Sequence, residues 1–161
     1  MNPDNREETL RAAKAKAEHY CASRECCRFD LERKFNQWEV PEEIWEDVFS
    51  HLESQGFLDE KRYIRAFIDA KFQYNNWGKI KIKHALKQKQ LPEHTIEELV
   101  EELDHEEYLS VLRKLVNKKA HQVKGNNNYQ KRQKVINSMT SKGFEPSLVI
   151  EVLDEENIFK I

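Results

Sequence analysis

Glycine and proline are scarce, with four of each in 161 residues. The chain therefore lacks the frequent turn signals that a sandwich or barrel of many strands requires. No apolar run approaches the ~18 residues of a membrane-spanning helix, and the first twenty residues hold no hydrophobic signal core. Both absences point to a soluble, cytoplasmic protein. Only three cysteines occur, Cys21, Cys26 and Cys27, all within one short stretch. That is a poor disulfide framework, so a reducing compartment is expected. The six histidines (His19, His51, His84, His94, His105, His121) are scattered without an HExxH pair. A Gly-rich phosphate loop and a nucleophile elbow are also missing. The expectation is a protein that is not an enzyme and uses neither metal nor cofactor.

What the chain has is charge and aromatic area. Charged residues make up 35% and apolar residues 39%, with eight Phe, five Tyr and three Trp. Apolar residues recur at helical spacing, as in Leu10, Ala13, Ala17, Tyr20 and Cys21, then Ile44, Trp45, Val48, Phe49 and Leu52. Gly56 supplies a helix stop and Asp59 a helix start. Laying "LERKFNQWEVPEEIWEDVF", "IKHALKQKQLPEHTIEELV" and "VINSMTSKGFEPSLVIEVL" together aligns Val40 with Leu91 and Phe144. Leu31, Ile82 and Val135 then share a position, as do Phe35, Leu86 and Met139. Each turn carries a proline, Pro41, Pro92 or Pro146, near the start of the next helix, where a missing N–H costs least. The pattern predicts an all-α protein of three tandem three-helix repeats, at 1–58, 59–104 and a divergent 105–161. Units of this kind bury their faces by stacking, so an elongated curved rod is expected.

The net charge of −2 conceals strong segregation. Residues 59–91 carry nine basic and three acidic side chains, 92–108 carry eight acids and no base, and 109–144 carry nine bases and no acid. Lys79, Lys81, Lys83, Lys87 and Lys89 punctuate one helix, with Lys79, Lys83 and Lys87 on a single stripe. Arg113, Lys114, Lys118, Lys119, Lys124, Lys131, Arg132 and Lys134 form the second basic block. Like charges at i, i+4 cost about 0.2–0.5 kcal/mol per pair, which a negatively charged partner would offset. The acids Glu97, Glu98, Glu101 and Glu102 could instead neutralise the stripes from within. Tyr74, Trp77 and Tyr129 flank the basic blocks and are candidates for stacking on bases, with Trp77 expected to be the exposed one. The paired carboxylates Glu42/Glu46 and Glu98/Glu102 lie in dense acidic runs and suit a solvated or ion-pairing face better than catalysis.

Several of these segments carry a family resemblance. "CRFDLERKF", "HLESQGFLDEKRYIRAFI" and "WGKIKIKHALKQKQLP" resemble, in order and spacing, the bacterial RecX regulatory proteins. The likeness runs over about residues 8–153, and the Gly-Phe-Leu-Asp junction with Tyr63 and Phe67 is its most specific part. The chain departs from the family pattern at Cys27, where Ser or Thr is usual, and at Gln90-Leu91, where Lys-Gly precedes an apolar residue. It also carries a "KGNNNYQ" insertion. The resemblance implies an all-helical monomer that binds the RecA filament, with single- or double-stranded DNA inside it as a further contact. It also implies modulation, most often inhibition, of RecA's recombinase, ATPase and coprotease activities in DNA repair. The residues expected to face the partner are the basic ones named above, Lys134 apart, together with Trp77. Stand-alone nucleic-acid binding and a helical adaptor role are the alternatives.

Among the cysteines, Cys27 followed by Asp30 reads as the start of a helix with a weakened capping box. Cys21 continues the Tyr20 stripe into the core. A zinc site from His19, Cys21, Cys26 and Cys27 is disfavoured, because a helical His-x-Cys points its side chains apart.

Overall fold

In the computed structural model, which describes residues 2–161, nine α-helices account for the regular structure and no strand is present among the described residues. They are α1 (Pro3–Ala22), α2 (Arg28–Gln37), α3 (Trp45–Ser54), α4 (Glu60–Gln73), α5 (Lys79–Gln88), α6 (Glu93–Val100), α7 (His105–Ala120), α8 (Asn128–Ser141) and α9 (Pro146–Glu155). A single 3₁₀ turn, Glu42–Ile44, leads into α3. Each repeat contributes three helices, the first of them the longest. The chain forms two compact units, one from residues up to Ala66 together with Lys89–Leu91, the other from Phe67–Gln88 and Pro92–Ile161.

Helix starts follow local chemistry. Asp59 accepts a hydrogen bond from the Arg62 amide (3.0 Å), and Asp104 accepts one from the Glu107 amide (3.1 Å). Asn127, in the inserted Asn-rich loop, does the same for the Gln130 amide (2.9 Å), so this loop is a built helix start. Helix ends share one device. Glu39, Gln90 and Gly143 adopt φ of 57°, 60° and 96° immediately before the aligned residues Val40, Leu91 and Phe144. The reversal lets the Val40 amide reach back to the Phe35 carbonyl (2.8 Å) and the Phe144 amide to that of Met139 (3.1 Å). Only the third repeat has glycine at this left-handed position.

In the first unit α3 packs against α1 and α2. Its core holds Ala13, Ala17, Leu31, Phe35, Ile44, Val48, Phe49 and Leu52. Phe35 is the aromatic centre, with ring centroids 5.6 Å from Trp45 and 5.3 Å from Phe49.

In the second unit α5 packs on α6, and α7, α8 and α9 pack on one another. Tyr108 is fully buried, its ring 5.8 Å from Phe72 and 5.3 Å from Phe144. Its hydroxyl donates to the Glu145 carboxylate (2.6 Å) and accepts the Lys79 amide (3.0 Å). The first amides of a helix have no partner within the helix. Here the Gly78 amide bonds the Lys142 carbonyl (2.7 Å) and the Ile80 amide that of Gly143 (3.0 Å). This backbone contact requires glycine at 78, because a Cβ there would overlap the Gly143 carbonyl and the Phe144 amide.

Candidate functional site

The two basic blocks meet different fates. On α5, Lys83 lies 2.6 Å from Glu97 and 3.8 Å from Glu101, and Lys79 is 3.7 Å from Glu101. Lys87 reaches Glu93 (3.2 Å) and Glu97 (3.5 Å). All three acids stand on α6 or just after it, at i, i+4 and i+8, so the acidic stripe of α6 faces the basic stripe of α5. Lys83 foremost, through a direct hydrogen bond, holds the Glu97 carboxyl below the usual carboxylate range. The Glu93 and Glu97 carboxylates push the Lys87 ammonium up. Within the first unit, Lys89 pairs with Asp30 (2.6 Å) and lies over the rings of Phe29 and Tyr63. Four of the five α5-region lysines therefore have acidic partners within the chain.

The second block is less satisfied. Arg132 bonds Asp154 (2.6 Å), Arg113 is 3.7 Å from Glu155, Lys131 covers the Phe159 ring, and Lys134 donates to the Lys124 carbonyl. Lys114 and Lys118 are exposed on one face of α7, Lys119 is half-buried beside them, and Lys124 is exposed just beyond. Among the described residues, none of these four ammonium groups lies within 4.0 Å of a carboxylate. They form an uncompensated cationic face.

The turn between α4 and α5 is a third cluster. Trp77 is half-buried, edge-on to Phe67 at 6.4 Å, with the Lys71 and Lys81 ammonium groups 4.8 Å and 4.6 Å from its ring. Tyr74 is the exposed aromatic here, at 86%. The expectation of an exposed Trp77 is corrected: Phe67 and the two lysine ammonium groups lie against a half-buried ring, which leaves Tyr74 as the open stacking surface. Tyr129 is also open, at 65%.

The cysteines also differ from expectation. Cys21 and Cys26 form a disulfide, with Cα atoms 6.1 Å apart. In this pairing neither sulfur is free to ligate a metal, and among the described residues no three His, Cys, Asp or Glu side chains converge as metal ligands. Cys27 precedes α2 but its side chain makes no capping bond, and it is buried. Burial foremost pushes the Cys27 thiol up, with the Asp30 carboxylate adding to it. The sequence offered no signal for Lys89 reaching Asp30 or for Lys71 covering Trp77. Helical periodicity does report that Glu97 and Glu101 share a face.

No helix among the described residues is long and apolar enough to cross a membrane. Residues 59–100, which contain α4 to α6, match the model of the second three-helix domain of RecX. Residues 106–153, covering nearly all of α7 to α9, match that of the third three-helix domain, and together the two exceed half of the chain. The chain belongs to the RecX family. Regulatory protein RecX of Leuconostoc mesenteroides is 28% identical over 124 residues, 77% of this chain and 46% of that protein. The Thermus thermophilus protein of the same name is 33% identical over 92 residues, 57% of this chain and 60% of its own length. The chain thus spans about half the length of these curated relatives. Regulatory protein RecX of Prosthecochloris aestuarii is 26% identical over 145 residues, 90% of this chain and 93% of the relative. The crystal structure of RecX from Lactobacillus salivarius superposes with a TM-score of 0.84 at 16% identity, covering 94% of this chain and 98% of that one. A second regulatory protein RecX superposes at 0.85 with 21% identity, covering 93% and 75%. RecX structures and this chain share the all-helical repeat fold.

Proposed function

We propose that this RecX-family chain binds the RecA recombinase, or its nucleoprotein filament, in the cytoplasm and holds back its recombinase, ATPase and coprotease activities. The observation that carries the assignment of a contact surface is the uncompensated cationic face of Lys114, Lys118, Lys119 and Lys124. An acidic protein surface or a phosphate backbone offers these lysines the counter-charge that the chain itself withholds. The Lys79, Lys83 and Lys87 stripe has its acids at home, so it contributes to folding more than to binding.

DNA-dependent ATP hydrolysis by RecA, titrated with this protein, tests both levels. The wild-type chain should slow turnover. Lys114→Glu with Lys118→Glu should keep its helical circular dichroism and lose potency by tenfold or more. Unchanged potency in that folded variant removes α7 from the contact, and no effect of the wild-type chain removes the RecA reading itself. Stand-alone nucleic-acid binding is the second reading, and exposed Tyr74, three residues from the Trp77 ring that Lys71 and Lys81 approach, favours it. Tight binding to DNA alone, with a steep salt slope, would support that alternative.

A further inference from the structure

The three cysteines have no part in the regulatory reading, yet their arrangement is selective. Cys26 has two cysteines within reach along the chain. Consecutive Cα atoms are about 3.8 Å apart, shorter than the ~4.4–6.8 Å that disulfides span, so Cys27 is a poor partner despite being adjacent. Cys21, one turn back at the end of α1, lies at 6.1 Å from Cys26 and does pair with it. Cys27 stands apart from the core cluster that holds Cys21 and Cys26, at 2% exposure.

We infer that Cys21 and Cys26 form a reversible thiol–disulfide exchange site for low-molecular-weight disulfides, with Cys27 spared. In the reduced protein the thiolate of Cys21, the less buried of the two residues at 7% against 1%, attacks one sulfur of the small disulfide. That step forms a mixed disulfide and releases one small thiolate. The Cys26 thiolate then attacks the Cys21 sulfur, forming the Cys21–Cys26 bond and releasing the second small thiolate. The two cysteine protons end on the two released thiols. One small disulfide is reduced and one protein dithiol is oxidised.

The site sits where it bears on the first unit. Between the two cysteines, Glu25 is bonded by the Arg62 guanidinium (2.7 Å), which also donates to the Gly56 carbonyl (3.0 Å). Arg24 lies over the Tyr20 ring at 4.4 Å. Closing the ring therefore pins the segment that ties the end of α1 to the start of α4. Oxidation stiffens this corner, and reduction leaves it to one ion pair and the core.

The test uses the whole wild-type chain, equilibrated with reduced or oxidised glutathione, freed of glutathione, denatured and alkylated. The reduced protein should take three alkyl groups. The oxidised protein should take one, mapped to Cys27, carry no glutathione, and melt on the order of 5 °C higher. Cys27→Ser should switch between two groups and none, and Cys21→Ser should form no internal disulfide. Three alkyl groups after excess oxidised glutathione, a stable glutathione adduct, or an internal disulfide in Cys21→Ser would each overturn the site. Equal melting temperatures for the two forms would overturn its hold on the first unit. None of these readouts involves RecA, so they stand or fall independently of the proposed function.

Discussion

A left-handed residue is inexpensive only when it is glycine, and two of the three aligned turn positions are not. Glu39 and Gln90 hold φ of 57° and 60°. An L-residue carries a penalty of about 1–2 kcal/mol in this region, part of which glycine forfeits through its freer unfolded chain. Glu39→Gly and Gln90→Gly should each raise the urea unfolding free energy by about 0.5–1 kcal/mol. Tyr63 and Tyr108 make a second residue-level point. Burial foremost raises both phenols above the ordinary tyrosine value, assisted at Tyr108 by its bond to Glu145. A raised folded value means stability is fully present below about pH 10 and falls as pH rises beyond it, because the unfolded chain loses the proton first. Tyr108→Phe should flatten that alkaline decline by about one proton in a series of urea midpoints from pH 8 to 11. The same variant strands the Lys79 amide and the Glu145 carboxylate, so it should also lose about 1–3 kcal/mol at neutral pH.

At the scale of helices, α5 and α6 are held by facing charge as well as by Ile82, Leu86, Ile96 and Leu99. The Glu97 carboxyl has its folded value lowered, chiefly by Lys83. Its contribution is therefore present above the ordinary glutamate range and is lost as pH falls through and below it. Lys83→Gln should flatten the acid limb of a melting-temperature profile between pH 5 and 3, while Lys114→Gln, without an acid partner, should leave that limb unchanged. The helices, their order and the shared register of Val40, Leu91 and Phe144 were legible because period and proline placement are properties of one chain segment. The cysteine pair was missed because a cysteine count cannot show that the end of α1 turns Cys21 toward Cys26. Trp77 was misplaced for a related reason: periodicity does not show that Phe67 and the ammonium groups of Lys71 and Lys81 come up to the ring. The choice between a binding stripe and an ion-paired one likewise depended on which helix lies opposite α5.

For the whole molecule, a net charge of −2 says little, since it does not show that Lys114, Lys118, Lys119 and Lys124 stand together on α7 and just beyond it. If Lys114 and its neighbours make the partner contact, potency against RecA should fall several-fold between 50 and 200 mM salt, and the Lys114→Glu, Lys118→Glu variant should respond less steeply. The second and third repeats meet through main chain at Gly78, where any Cβ would strike the Gly143 carbonyl. Gly78→Ala should cost on the order of 3 kcal/mol, read as a drop in denaturation midpoint. A collision with a side chain can be relieved by trimming that side chain, but every amino acid carries the same carbonyl. Position 78 therefore has no compensating change available in residues 142–144. A suppressor screen on Gly78→Ala should return true revertants and distant stabilisers, with no local partner among them.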